Sequence, residues 1–122
     1  MKIRIKGNSV RLRLTKTEVA DLESKGFVAE ETRFGSGVFR YRLEQKKDLQ
    51  HLDACFKNGI MTVFIPPVFV KSLLETDKVG YEDSLPGENG HTLFLLVEKD
   101  FQCLDQTRED QSDMYMNPNQ VC

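Results

Sequence analysis

The 122-residue chain has no tryptophan, only three cysteines and only four prolines. No stretch approaches the ~20 consecutive apolar residues of a membrane-spanning helix, and the opening MKIRIKGN places charge where a secretory leader carries an apolar run. Cys55, Cys103 and Cys122 form an odd set with no C-x-x-C pair. Cysteine alone therefore builds neither a disulfide framework nor a four-ligand zinc site, and reduced thiols in a cytoplasmic protein are expected. Also missing are a G-x-S-x-G nucleophile turn, a Walker loop and a G-x-G-x-x-G fingerprint after a strand. Gly35-Ser36-Gly37 and the stretch Gly87 to Gly90 read as turns instead. No internal repeat with a period of about 20 to 50 residues is visible.

What remains is a globular composition, 39% hydrophobic and 30% charged, with eight Phe and three Tyr to fill a core. The length suits one domain, expected over residues 1–104 and followed by an acidic irregular tail at 105–122. The formal net charge of −2 conceals a gradient. Residues 1–42 hold ten Lys/Arg against five Asp/Glu, residues 43–98 five against nine, and residues 99–122 two against five. A basic front can meet an external partner or the chain's own acids.

Period-2 alternation dominates the pattern. Lys2 to Lys6 and Ser9 to Leu14 read as half-buried strands around Gly7-Asn8, whose leading glycine suits a type II′ turn. A two-residue loop sets Lys6 opposite Ser9, Ile5 opposite Val10, Arg4 opposite Arg11, Ile3 opposite Leu12 and Lys2 opposite Arg13. Thr15 and Glu18 form a capping box for a helix that Gly26 ends. Residues 27–34 and 38–44 predict a second hairpin about a three-residue Gly35-Ser36-Gly37 loop, which sets Thr32 opposite Arg40 and Glu30 opposite Arg42. Residues 52–57 and 60–65 predict a third about Asn58-Gly59, a type I′ signal. Its register gathers Leu52, Ala54, Phe56, Met61, Val63 and Ile65 on one face. Pro66-Pro67 opens a short helix to about Thr76, residues 79–83 suggest a short strand, and Thr92 to Val97 a central one. The fold class is α+β: a mostly antiparallel sheet of hairpins, about eight strands, open or barrel-like, with two short helices.

The leading candidate site is the basic face of the first hairpin, Lys2, Arg4, Arg11 and Arg13, which Arg40 and Arg42 could extend. Like charges directly opposite on a sheet cost up to about 1 kcal/mol, so something must offset them. One reading is solvent with the protein's own acids, Glu30, Glu31 or the tail. The other is an anion site, where guanidinium forks meet phosphate oxygens. No aromatic side chain interleaves these cations and the whole chain is mildly acidic, so nucleic acid is not an expected partner. His51, Cys55, His91, Cys103 and Asp105 lack metal-ligand spacing, and neither a metal, a cofactor nor a catalytic residue is expected. The tail, with Asp105, Glu109, Asp110 and Asp113 before Met114, Tyr115 and Met116, is a second candidate for partner binding.

The opening MKIRIKGNS with VRLRLTKTEV, the VFIP block at 63–66 and the closing LVEKDFQCL resemble a group of short, uncharacterised bacterial proteins of unknown function over the whole chain. More distantly, VRLRL is similar to strands of the CYTH, or triphosphate-tunnel, superfamily, whose barrel interior binds polyphosphate. Positions 2–6 read KIRIK where that superfamily opens E-x-E-x-K. This second resemblance implies a degenerate tunnel relative with Arg4, Arg11 and Arg13 as anion ligands. The expected function is a cytoplasmic binding or protein-interaction domain, with a phosphate or triphosphate-ligand protein as the alternative. The expected partners are a protein or a small phosphate-bearing ligand, with a homo-oligomer possible and no membrane.

Overall fold

The computed structural model describes residues 1–102 and 112–116. Its elements run β1 (Lys2–Lys6), β2 (Ser9–Leu14), α1 (Lys16–Lys25), β3 (Phe27–Phe34), β4 (Gly37–Gln45), β5 (Asp53–Lys57), β6 (Ile60–Ile65), α2 (Pro67–Glu75), β7 (Gly80–Pro86) and β8 (Thr92–Lys99). A 3-10 turn at Glu88–Gly90 joins the last two strands. The eight strands and two helices are the α+β layout that the alternation predicts.

The strands form two four-stranded sheets, ordered β1-β2-β8-β7 and β3-β4-β6-β5, rather than a closed barrel. Each sheet is two antiparallel hairpins joined through a parallel central pair, β2 beside β8 and β4 beside β6. That parallel pairing is invisible to a hairpin-by-hairpin reading, because its partners lie far apart in sequence.

A two-fold relation connects the halves of the chain. Both halves run hairpin, helix, hairpin, and mapping β1-β2-α1-β3-β4 onto β5-β6-α2-β7-β8 exchanges the two sheets. Backbone hydrogen bonds repeat under the mapping. Phe94 N–H donates to Asn8 O at 3.0 Å as Arg40 N–H does to Gly59 O at 3.3 Å, and Asp100 N–H to Leu14 O at 2.8 Å as Lys46 N–H to Ile65 O at 3.0 Å. The buried side chains repeat as well: Leu12 with Val63, Leu14 with Ile65, Val19 with Val70, and Leu22 with Leu73. All eight join one core with residues of both sheets and both helices. The structural repeat lacks a sequence signature because the inward positions share little more than apolar character, while most of the outward ones differ.

Turn chemistry sets two registers as expected. Gly7 takes a positive φ of 54°, and the first hairpin pairs Arg4 with Arg11 and Lys2 with Arg13. In the third hairpin Asn58 and Gly59 both have positive φ, and Ala54 faces Val63. The second hairpin departs from expectation. Its turn holds two residues, Gly35 and Ser36, so Phe34 pairs with Gly37, Glu31 with Arg40 and Ala29 with Arg42. Gly37 extends the strand, which shifts the register by one residue.

Helix α1 carries the expected capping box: the Thr15 side chain accepts from Glu18 N–H while the Glu18 carboxylate accepts from Thr15 N–H, and Gly26 closes it in the left-handed region. Helix α2 opens on Pro67 and buries Val70 and Leu73, and Phe69 stacks on Tyr81 of β7 with centroids 4.0 Å apart. Among the described residues no helix is long and apolar enough to cross a membrane. Of the tail expected at 105–122, only 112–116 lie within the described residues, and Met114, Tyr115 and Met116 there are exposed.

Candidate functional site

The outward face of the β1-β2-β8-β7 sheet is built in rows by its registers. Lys2, Arg13, Glu98 and Gly80 form one row across the four strands, Arg4, Arg11, Leu96 and Glu82 the next, and Lys6, Ser9, Phe94 and Ser84 the third. The opposite parity of β2 and β8, Leu12, Leu14, Leu95 and Val97, goes to the core. Period-2 alternation thus gathers Lys2, Arg4, Lys6, Arg11 and Arg13 on one surface.

Glu98 is the principal counter-charge. Its side chain is only 7% exposed, and its Oε1 lies 2.9 Å from Arg13 Nε and 3.5 Å from Arg11 Nε. One buried carboxylate therefore holds two guanidinium groups in place, a charge-assisted arrangement stronger than a neutral pair. Lys2 Nζ reaches Asp100 at 3.1 Å. Among the described residues Glu98 and Asp100 pair with this face, whereas Glu30 and Glu31 pair elsewhere; most of the tail, the other expected source of acid, lies outside the described residues. Alternation gives Glu98 the outward parity of Phe94 and Leu96 on β8, but only the pairing of β8 beside β2 brings it to the arginines. Gly80, opposite Glu98, leaves room for this packing, since a Cβ there would fall 2.6 Å from Val97 O and 2.8 Å from Glu98 Cβ.

Next to this cluster Arg4, Lys6, Ser9, Arg11, Phe94 and Leu96 line a depression of about 100 Å³. Cationic side chains and a hydroxyl rim it, and an aromatic and an aliphatic side chain form its apolar part. Ser9 Oγ donates to Lys6 O at 2.8 Å. Arg13 is not in the lining. Of the expected anion residues, Arg4 and Arg11 line the depression, while Arg13 and Lys2 do not.

Arg40 and Arg42 sit on the other sheet and do not extend this patch. Arg40 Nε lies 3.3 Å from Glu31, which Arg33 also meets at 2.9 Å. Arg42 lies 2.9 Å from Glu44 and over the Phe27 ring at 4.5 Å. The corrected register places Ala29, not Glu30, opposite Arg42, so Arg42 finds its carboxylate two residues along its own strand.

Glu30 serves elsewhere. The Met1 ammonium donates to the carboxylates of Glu18 and Glu30, the latter at 2.8 Å, and Tyr41 Oη donates to Met1 O at 2.9 Å. Burial alone would lower the ammonium pKa, but its bonds to Glu18 and Glu30 and their charges outweigh this and raise it above its ordinary value. Burial would likewise raise Glu18, but its bonds to the Met1 ammonium and Thr15 lower it instead. Burial, with the charges of Glu30 and Glu18, raises Tyr41. The two-fold mate of this contact is Leu52 N–H, which donates to Asp83 Oδ2 at 2.8 Å. In each half an acid on the third strand of the unit holds the backbone that enters the first hairpin.

Among the described residues there is no group of three or more His, Cys, Asp or Glu side chains that could hold a metal ion. Cys55 is exposed on β5, and His51 Nδ1 lies 2.8 Å from Leu52 O. Cys103 and Asp105 lie outside the described residues.

No curated protein and no solved structure matches the chain, and the resemblance to the triphosphate-tunnel superfamily finds no support either there or in the two open sheets. A model described as a family of unknown function (DUF7009) matches residues 1–119, and the chain belongs to that family.

Proposed function

We propose that this protein is a non-enzymatic binding domain that takes an anionic ligand on the outward face of its β1-β2-β8-β7 sheet. The observation that carries the reading is the depression where Arg4, Lys6 and Arg11 stand together with the Ser9 hydroxyl beside the apolar Phe94 and Leu96. Arg11 is held by the buried Glu98, so part of the rim is positioned before any ligand arrives. Arg40 and Arg42 are left out of the site, because they stand on the other sheet. A cytoplasmic setting fits a chain whose three cysteines form no C-x-x-C pair, and a bacterial one rests on the sequence resemblance.

The reading is tested by fluorescence anisotropy with a short oligoglutamate peptide and by thermal shift with inorganic triphosphate. A ligand at 100 times its dissociation constant stabilises the folded state by about 2.7 kcal/mol. Binding is expected to weaken steeply with salt and to be lost in the double variant Arg4→Glu, Lys6→Glu. Absence of binding by either anion, or binding that survives the double charge reversal, contradicts it.

A further inference from the structure

Among the described residues no strand pairs with the outer edge of β1, where this face ends, and the chemistry of that edge narrows the ligand. In a hairpin with a two-residue turn, the pair flanking the turn exchanges backbone hydrogen bonds, and alternate pairs follow suit. For β1 these bonded pairs are Lys6 with Ser9, Arg4 with Arg11 and Lys2 with Arg13. The backbone N–H and C=O of Ile3 and Ile5 therefore point away from β2, along the outer edge of the sheet. Every β1 residue except Ile3 is exposed, and Ile5 is 55% exposed.

The other edges are less receptive. On β5, the two-fold mate of β1, the Ala54 N–H is taken by the Asp53 carboxylate at 2.9 Å. β7 ends at Pro86 and carries Glu82 and Asp83. α1 packs along β3.

We infer that β1 accepts an extended segment of a partner protein as a fifth strand, with acidic side chains toward Lys2, Arg4 and Lys6 and apolar ones beside Ile3 and Ile5. The inference rests on the proposed anion-binding face and names its ligand. Main-chain bonds supply affinity in such strand addition, and alternate side chains supply specificity. The charge selects the partner. A second copy pairing β1 to β1 would set lysine and arginine against lysine and arginine, which is unfavourable across a sheet. An alternating acidic and apolar strand meets the opposite charge at every second position and buries the isoleucine side chains at the others.

The experiment compares a short alternating Glu/Val peptide with a block peptide of the same composition, by anisotropy, on the full chain. The alternating peptide is expected to bind roughly fivefold tighter or better, the value of about one net hydrogen bond. Ile5→Pro removes an N–H that the β1-β2 ladder does not use, and should erase that preference. Phe56→Pro, at the equivalent position of β5, should leave it intact. A peptide N-methylated at alternate residues tests the same bonds from the ligand side, whatever Ile5→Pro does to folding. If wild type and Ile5→Pro bind both peptides alike while Arg4→Glu, Lys6→Glu loses them, strand addition is overturned and the anionic face stands. If the charge reversal also changes nothing, both readings fall. A concentration-dependent dimer in sedimentation that Ile5→Pro abolishes would assign the edge to a second copy and overturn the partner segment.

Discussion

The two sheets share a topology and differ in where their acids lie. In the β3-β4-β6-β5 sheet, Glu31 and Glu44 sit on the surface beside Arg33, Arg40 and Arg42, and each pair is at least partly open to solvent. In the β1-β2-β8-β7 sheet, the acid equivalent to Glu44 is Glu98, buried beneath Arg11 and Arg13, and the edge strand adds Lys2, Arg4 and Lys6. A duplicated backbone plan has thus produced one surface of local ion pairs and one of concentrated positive charge. The inward positions, which make the common core, have stayed apolar in both halves.

The largest test of the comparison is in the core. Leu22 and Leu73 are equivalent and both buried, so Leu22→Ala and Leu73→Ala should each cost about 3 kcal/mol in urea unfolding. A loss below about 1 kcal/mol in one alone would break the two-fold account of the core.

The acids come next. Glu98→Gln leaves two arginines without their shared charge and should cost about 2 kcal/mol, whereas Glu44→Gln, at the equivalent half-buried site, should cost less than about 0.5 kcal/mol. Equal losses would erase the distinction between the sheets. Asp83→Ala frees the Leu52 N–H that it holds and should cost about 1 kcal/mol.

The smallest effect is the pH dependence of the Met1 contact in the first half. Glu18 has its pKa lowered by folding, so its contribution is present above its ordinary value of 4.5 and is lost as pH falls through the lower folded value. The Met1 ammonium is raised, so its contribution is complete below 8.0 and is lost as pH climbs through the higher folded value. Glu18→Gln should flatten the acid side of a melting-temperature profile. Asp83→Asn, at the second-half contact where no ammonium takes part, should leave the alkaline side as it is.

The sequence makes the local geometry legible where a turn type is unambiguous. Gly7-Asn8 and Asn58-Gly59 each fix a register, and with it the arginines opposite each other on the first hairpin. Gly35-Ser36-Gly37 fits both a two- and a three-residue turn, and the one-residue difference moves Glu30 from the arginine face to the Met1 ammonium. The parallel pairing of β2 with β8 depends on strands from opposite ends of the chain, which no local pattern encodes, and with it goes the position of Glu98. The site's cations could therefore be read from alternation, but their counter-charge could not. The two-fold repeat is hidden for a related reason: a core tolerates any apolar side chain of suitable volume, so Leu12 and Val63 can be equivalent without looking alike.

The most direct test of the account sets the two faces against each other in one titration of the alternating Glu/Val peptide. Arg4→Glu with Lys6→Glu should abolish binding, and Arg40→Glu with Arg42→Glu, on the other sheet, should retain wild-type affinity when both proteins melt as folded domains. Equal affinity in the two variants, or loss only in the second, would contradict the assignment of the binding face.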